Sequence, residues 1–160
     1  MRVILERSNL LKSLNHVHRV VERRNTIPIL SNVLLSAEGA SLEMKATDRD
    51  LEVTEATPAK VERGGATTVP AHLLYDIVRK LSDGAEVMLK TDEDGNAMTV
   101  TSGRSSFRLQ CLPQSDFPEL SAGSFSHIFR LDSVALKGLI EKTQFAISTE
   151  ETRYYLNGIY

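Results

Sequence analysis

The sequence predicts an α+β fold built from a repeated β-α-β-β-β unit. A short strand-like run, a break and a helical pattern occur together three times. The apolar residues of the helical pattern recur with a spacing of 63 residues from Leu11 to Leu74 and of 62 residues from Leu74 to Leu136. Strand-like segments with alternating apolar residues follow the first two helices. A steady period with the same content indicates an internal repeat.

The first unit begins with the strand-like run at Val3 and continues into a helix. Ser8 is placed to cap this helix, which the apolar spacing extends to about Glu22. Turns at Glu38-Gly39 and Asp48-Arg49 then separate three expected strands. These strands are predicted at about 31–37, 41–46 and 51–56.

The second unit repeats this order. Its helix is predicted at about 71–81, where Asp83-Gly84 stops it. Turns at Asp94-Gly95 and at Gly103 separate three further strands. These strands are predicted at about 86–90, 97–101 and 105–110, so the unit is present twice by about residue 111.

The composition then shifts to Pro, Ser, Gly and Asp over residues 112–126. We expect a first domain at 1–120, a linker at 121–126 and the opening of a second domain at 127–160. This third unit is predicted to supply a strand from His127, a helix at about 133–146 and an aromatic strand at 154–160. A strand needs a neighbour for its backbone groups. We therefore expect the chain to be a truncated piece of a longer repeat protein, whose later residues pair with that strand.

Composition and motifs limit the chemistry. Cys111 is the only cysteine among 160 residues, which excludes an intrachain disulfide and a four-thiolate metal site. The sequence contains no secretory signal and no membrane span, so a cytoplasmic protein is the default. Asp48, Asp50 and Glu52 alternate and could hold a divalent ion, but a solvated turn explains them better. No catalytic motif is present, and we predict no catalytic residue, no metal and no cofactor.

The predicted helices are basic, whereas the second strand region is acidic. The first helix and its end carry Lys12, Arg19, Arg23 and Arg24 against Glu22. The overall net charge is only −2. If the helices share one surface, that surface is suited to binding nucleic-acid phosphates without recognising the base sequence. An ordinary solvated helix face explains the same charges.

Several short strings run in order along the whole chain and share one resemblance. They are LLK (10–12), PIL with Asn32, TD (47–48), GATTVPA (65–71), SGRSSF (102–107), DFP (116–118), TQF (143–145) and RYYLNG (153–158). Together with the repeated unit, they resemble the bacterial DNA polymerase III β subunit, the sliding-clamp family. GATTVPA and RYYLNG carry most of the specificity.

The resemblance implies a clamp fold with helices on one face and antiparallel sheets on the other. In that family two units form a domain, three domains form a subunit, and two subunits join head to tail around duplex DNA. The resemblance also implies a non-catalytic processivity factor that tethers DNA polymerase III and meets the clamp loader.

The resemblance also suggests site residues. The DNA-contacting positions correspond to Arg24, His72, Glu150, Tyr154 and Tyr155. His72 stands where a relative has arginine, and Glu150 stands where a relative has a neutral amide. The subunit interface corresponds to Leu73, Arg104, Phe107 and Leu109, and Leu156 corresponds to one residue of the partner-peptide pocket.

Two other functions remain open at the level of the sequence. One is a small α+β enzyme or ligand-binding domain that shares only the repeat. The other is a short paralogue that binds a complete clamp and blocks ring closure.

Overall fold

The computed structural model describes residues 1–22, 26–120 and 126–159, without the side chains of Glu151 and Tyr154. The chain divides into two units, Met1–Leu120 and Ser121–Tyr160. The architecture is α+β, as predicted. The described part of the first unit contains the strands β1 (Arg2–Glu6), β2 (Asn32–Glu38), β3 (Ser41–Thr47), β4 (Glu52–Pro58), β5 (Lys60–Arg63), β6 (Gly65–Pro70), β7 (Glu86–Thr91), β8 (Ala97–Ser102) and β9 (Ser105–Gln110), and the helices α1 (Arg7–Val17) and α2 (Ala71–Lys80).

The two repeats exchange their first strands. One sheet has the order β5-β1-β7-β8-β9, and the other has the order β4-β3-β2-β6. Strand β1 of the first repeat pairs antiparallel with β7 of the second. Strand β6 of the second repeat pairs antiparallel with β2 of the first. Because the exchange is reciprocal, neither repeat can complete its sheet alone.

The helices and the inner faces of both sheets share one core. Val3 and Leu89 of the five-stranded sheet and Leu35 of the other sheet have no exposed surface. Leu14 of α1 and Leu74 of α2 are equally buried in the same cluster. Burial of one such side chain contributes about 1.5–3 kcal/mol, so these helices are held mainly by packing.

The two helices of the first unit lie side by side, as predicted. The rings of His18, just after α1, and Tyr75 of α2 stack with centroids 3.9 Å apart and planes 7° apart. Helix α1 also packs on β3 and β4. One surface of the first unit is therefore formed by both helices.

The prediction for the start and end of α1 was wrong. Glu6 precedes the helix without a side-chain cap, and the Ser8 hydroxyl donates to Glu6 Oε1 at 2.7 Å instead of capping. Beyond Val17 the backbone hydrogen bonds join residues that are three positions apart, as from Val21 N to His18 O at 3.3 Å. The apolar pattern continues through these tighter turns, so periodicity alone overestimated the helix.

Two features of the first unit were not predicted. Strand β5 pairs with β1 at the edge of its sheet, although its sequence KVER reads as a polar connection. The Arg7 guanidinium meets the end of α2 by donating to Val78 O at 3.1 Å and to Arg79 O at 2.8 Å. It also pairs with Asp83 at 2.6 Å. Arg7 thus satisfies carbonyls that a helix end leaves without partners.

The second unit contains α3 (Ser133–Thr143), followed by a 3₁₀ turn at Gln144–Ala146. Asp132 Oδ1 accepts from the amides of Val134 and Ala135, at 3.0 and 3.1 Å, and so caps the helix. Both predicted strands of this unit are wrong for its described residues. Residues 127–132 are irregular, and Glu151–Leu156 is a 3₁₀ segment with a kink at Arg153. Among the described residues of the second unit, no strand lies beside either segment to satisfy an extended backbone.

Within the described residues, none of the helices has the length and apolar character needed to cross a membrane.

Candidate nucleic-acid interface and subunit edge

The surface formed by α1 and α2 carries exposed cations. We call Lys12 of α1, Arg19 in the turn just after α1, and Arg79 and Lys80 of α2 the helix cations. Arg79 is paired with Asp76 at 3.2 Å and lies over the Tyr75 ring, 5.6 Å from its centroid. Within the described part of the chain, Lys12, Arg19 and Lys80 form no ion pair. These unpaired charges create a local positive potential on a nearly neutral protein.

Aromatic rings join the two helices beneath these cations. His18 stacks on Tyr75 and meets the edge of His72 with ring centroids 5.6 Å apart. His18 Nδ1 donates to Leu14 O at 2.7 Å. Burial lowers the pKa of His18 below 6.5; the nearby His72 and Arg19 act in the same direction, and the bond to Leu14 opposes them. The neutral ring is therefore the form that fits this packing.

His72 is half-buried in the contact between the helices. Its Nε2 lies 2.7 Å from Val21 O, and its Nδ1 is buried without a partner among the described residues. The ring therefore helps to join the turn after α1 to the start of α2. This placement leaves less of His72 available to a ligand than the resemblance implied.

The remaining DNA-contacting candidates are placed unevenly. Arg24 lies outside the described residues, and so does the side chain of Tyr154. Tyr155 is 71% exposed on the 3₁₀ segment of the second unit. Glu150 is exposed, and its carboxylate lies 3.4 Å from Arg153 Nε. Of the DNA-contacting candidates, the described residues of the second unit therefore present the Tyr155 ring and the paired carboxylate of Glu150.

Three of the four predicted interface residues lie at one edge of the five-stranded sheet. Strand β9 is the last strand of that sheet, and Arg104 is exposed in the turn before it. Leu73 and Phe107 are 49% and 39% exposed. They share a cleft of about 200 Å³ with Asp76, Ile77, Lys80, Leu81 and Ser105. An unpaired strand edge beside an apolar cleft is suited to pairing with another chain.

Leu109 differs from the other predicted interface residues. It is 1% exposed and belongs to the core. Its side chain is therefore not presented at the edge as expected, because it packs in the core opposite the buried Met98 of β8. Leu156, the predicted pocket residue, is 46% exposed in the second unit.

The described residues assemble no evident reactive centre. No group of three or more His, Cys, Asp or Glu side chains in this part of the chain could hold a metal ion. Asp48 Oδ1 instead accepts from the amides of Asp50 and Leu51 in a turn. Burial raises the pKa of the Cys111 thiol, which disfavours the reactive thiolate.

The role of Tyr75 was missed by the sequence analysis. Its ring stacks on His18, which joins the helices, and the Arg79 guanidinium lies over the ring. The signal was available: His72, Tyr75 and Arg79 are spaced three and four residues apart, which places them on one helix face. The stacking partner could not be found this way, because His18 lies in a different repeat.

Comparisons with known proteins decide the family. The profile described as "DNA polymerase III beta subunit, N-terminal domain" matches residues 1–121. The chain belongs to this family. Its clamp fold is also that of a solved sliding clamp from Bartonella birtlesii bound to griselimycin, with a TM-score of 0.95 and 61% identity over 100% of this chain and 42% of that one.

Curated members of the family are similar along the whole chain. The beta sliding clamp of Caulobacter vibrioides is 54% identical over 160 residues, which is 100% of this chain and 43% of that protein. The Escherichia coli K12 beta sliding clamp is 41% identical over 99% of this chain and 43% of its own length. The chain therefore spans less than half the length of the curated clamps that it matches.

Proposed function

We propose that these residues serve in a sliding-clamp subunit, a DNA polymerase processivity factor that encircles duplex DNA as a head-to-tail homodimer. The observation that carries this proposal is the paired α1–α2 surface, with its unpaired cations, in a chain of the clamp family. A sliding protein needs phosphate attraction without base reading, because base-specific contacts would stop it. Exposed lysine and arginine side chains supply such contacts.

In this proposal, residues 1–120 form the first clamp domain, 121–126 are a linker and 127–160 open a second domain. The division of the chain at Leu120 and the end of the family match at residue 121 support that boundary. The protein acts without catalysis or cofactor, in the bacterial cytoplasm where the chromosome lies. DNA polymerase III and the clamp loader bind a pocket to which Leu156 contributes.

The DNA contacts proposed here combine the helix cations with Arg24, His72, Tyr154 and Tyr155. Glu150 is the weakest member, because its carboxylate repels phosphate and is already paired with Arg153. The head of the subunit interface is the β9 edge with Arg104, Phe107 and Leu73. Leu109 contributes there through its backbone only.

A chimaera tests the function directly. Residues 1–160 replace their 54% identical counterparts in the Caulobacter vibrioides clamp, and that organism's clamp loader loads the chimaera on a nicked circular duplex. We expect the chimaera to remain on the circle during gel filtration and to be released when the circle is cut. A chimaera that folds and dimerises, but leaves the intact circle as fast as the cut one, would refute the proposed function.

Charge variants of the same chimaera test the helix surface. Lys12→Gln and Arg19→Gln should each flatten the dependence of log affinity on log salt by about 0.9 for a short duplex of any sequence. Lys60→Gln on the edge strand β5 is the charge-matched control and should leave the slope unchanged. Equal slopes for all three variants would remove the helix surface from the DNA interface.

The subunit edge is tested by a matched pair of leucines. Leu73 and Leu51 are 49% and 53% exposed, but only Leu73 lines the cleft beside β9. Leu73→Asp should shift the chimaera from dimer towards monomer in analytical ultracentrifugation, because it places a charge in an apolar contact. Leu51→Asp should not. A dimer that tolerates Leu73→Asp as well as Leu51→Asp would exclude this edge.

A further inference from the structure

A row of cations crosses the five-stranded sheet on the side that faces away from the core. Residues directly opposite one another on neighbouring strands share a face of the sheet. The strand register gives this row the order Arg63, Arg2, Lys90, Thr99 and Arg108. The register between β1 and β5 shifts between Arg2 and Val3, and the cleft that Arg63 lines together with Arg2 places it on the same side. We call its four charged members the cation row. Arg2 and Lys90 adjoin the buried Val3 and Leu89 along their strands, so their side chains point outward.

Three members of the row line one cleft. Arg2, Arg63 and Lys90 surround a space of about 380 Å³ together with Glu62. Arg2 Nε lies 2.9 Å from Glu62 Oε2, and Arg63 Nη2 donates to Thr91 O at 3.4 Å. No carboxylate of the described residues pairs with Arg63 or Lys90. The cleft therefore keeps a positive charge that its own residues do not neutralise.

Sheet stability does not favour this arrangement. Like charges directly opposite on neighbouring strands are destabilising, and Arg2 has a cation opposite it on each side. The pairs that Arg2 and Arg108 form with Glu62 and Asp92 offset only part of this repulsion. An anionic ligand would offset the rest.

The neighbouring residues indicate which anion fits. Next to the cation row, the register aligns Lys60, Ile4, Met88, Thr101 and Ser106, and of these Ile4 and Met88 are half-buried apolar side chains. Neither row contains an aromatic residue, whereas proteins that bind single-stranded nucleic acid stack bases on aromatic rings. Glu62 also shows that a carboxylate is accommodated beside Arg2. Carboxylates combined with apolar side chains therefore match this surface better than a nucleic-acid strand does.

We propose that the cation row, with Ile4 and Met88, docks an acidic segment of a partner protein. Carboxylates of that segment meet Arg63 and Lys90, and its apolar side chains cover Ile4 and Met88. This site lies on the sheet rather than on the α1–α2 surface. The inference goes beyond the proposed function and does not depend on it.

The test uses the 160-residue chain and a fluorescein-labelled peptide of about twelve residues made of Glu, Asp, Leu and Ser. Anisotropy at low salt should show binding that weakens as salt is added. Lys90→Gln should weaken binding about two- to fivefold, as expected for one exposed ion pair. Glu62→Gln should tighten binding by a similar factor, because it removes the carboxylate that competes for Arg2. Lys12→Gln on α1 is the charge-matched control and should change nothing.

Two further measurements separate docking from folding and from nonspecific attraction. The thermal midpoint of Lys90→Gln should equal or exceed that of the parent, since the variant removes a like-charge contact. A peptide with Lys in place of Glu and Asp should not bind. Equal peptide affinity in the parent, Lys90→Gln and Glu62→Gln proteins would overturn the proposal. An oligothymidine that binds through Lys90 while the acidic peptide does not bind would overturn it in favour of nucleic acid.

Discussion

Helices α1 and α3 carry the same apolar pattern but have opposite surroundings. The sequence repeat aligns Leu14 with Leu139, and the structure leaves Leu14 with no exposed surface and Leu139 59% exposed. Leu136, which aligns with Leu11 of the first repeat, is 43% exposed. The same pattern therefore leads to core packing in one unit and to a solvated helix in the other.

The difference lies in the strands available to each helix. Helix α1 packs on β3 and β4 and against α2, all within Met1–Leu120. The described residues of the second unit contain no strand on which α3 could pack. An amphipathic pattern thus specifies which side chains a helix would bury, whereas the strands decide whether they are buried.

The largest expected effect tests this comparison with one substitution in each helix. Leu14→Ala should lower the free energy of unfolding by about 2–5 kcal/mol, because it removes buried contacts and leaves a cavity. Leu139→Ala makes the same change in helix propensity and should stay within about 0.5 kcal/mol of the parent. Urea denaturation measures both variants. A loss at Leu139 as large as that at Leu14 would mean that α3 is packed in solution.

A smaller effect compares an arginine in each unit. Arg7→Met keeps an apolar stem but loses the bonds to Val78 O, Arg79 O and Asp83. We expect a loss of about 1–3 kcal/mol, because two helix-end carbonyls lose a charged donor. Arg153→Met removes only an exposed pair and should cost less than about 1 kcal/mol. Hydrogen exchange should become faster at the end of α2 for Arg7→Met alone, and unchanged exchange there would contradict the capping role.

The sequence predicted most of the first unit because its signals are local. The turns at Glu38-Gly39 and Gly103 placed the strand meanders within one or two residues. The exchange of β1 and β6 between sheets was not predicted, since pairing between distant strands leaves no local pattern. Strand β5 was missed for the same reason, because its partner determines that the polar KVER is extended.

The candidate site residues show the same contrast between local signals and packing with distant parts of the chain. Arg104 in a turn and Leu73 on a helix face are exposed in the structure, and their part in a subunit interface stays a prediction. The resemblance placed Leu109 at the subunit edge together with Phe107, whereas the structure buries the Leu109 side chain in the core. The sequence repeat aligns Leu156 of the second unit with Leu30 of the first. This alignment could have predicted the local backbone conformation of Leu156. Leu30 lies in the 3₁₀ turn Pro28–Ser31, just as Leu156 ends a 3₁₀ segment.

A pH titration contrasts the packed His18 with a solvent-exposed histidine. The lowered pKa of His18 means that the unfolded chain takes up its proton more readily than the folded protein does. The free energy of unfolding should therefore fall as the pH decreases from 6.5 towards the lower pKa of the folded state. Tyr75 stacks on this ring, and His72 and Arg19 lie near it and add to the penalty that burial sets on its protonation.

His18→Gln should reduce this pH dependence, and His127→Gln, at an exposed position of the second unit, should leave it unchanged. Urea denaturation at several pH values between about 5 and 7.5 provides the measurement. If the parent and His18→Gln lose stability in parallel over that range, His18 does not carry the effect.

The smallest expected effect tests whether α3 is held by its own backbone alone. An isolated helix of this length is marginal in water, and Gly138 in its middle lowers its stability further. Nothing lies within 4 Å of a Cβ added at Gly138. Gly138→Ala should therefore raise the far-ultraviolet helix signal and stabilise α3 by about 0.5–1 kcal/mol.

Gly39→Ala is the matched control. A Cβ at Gly39 also has open space, but the φ of +57° at this position strains any other residue, so the variant should destabilise the first unit. If Gly138→Ala leaves the helix signal unchanged, packing must already hold α3, and the contrast with α1 would fail.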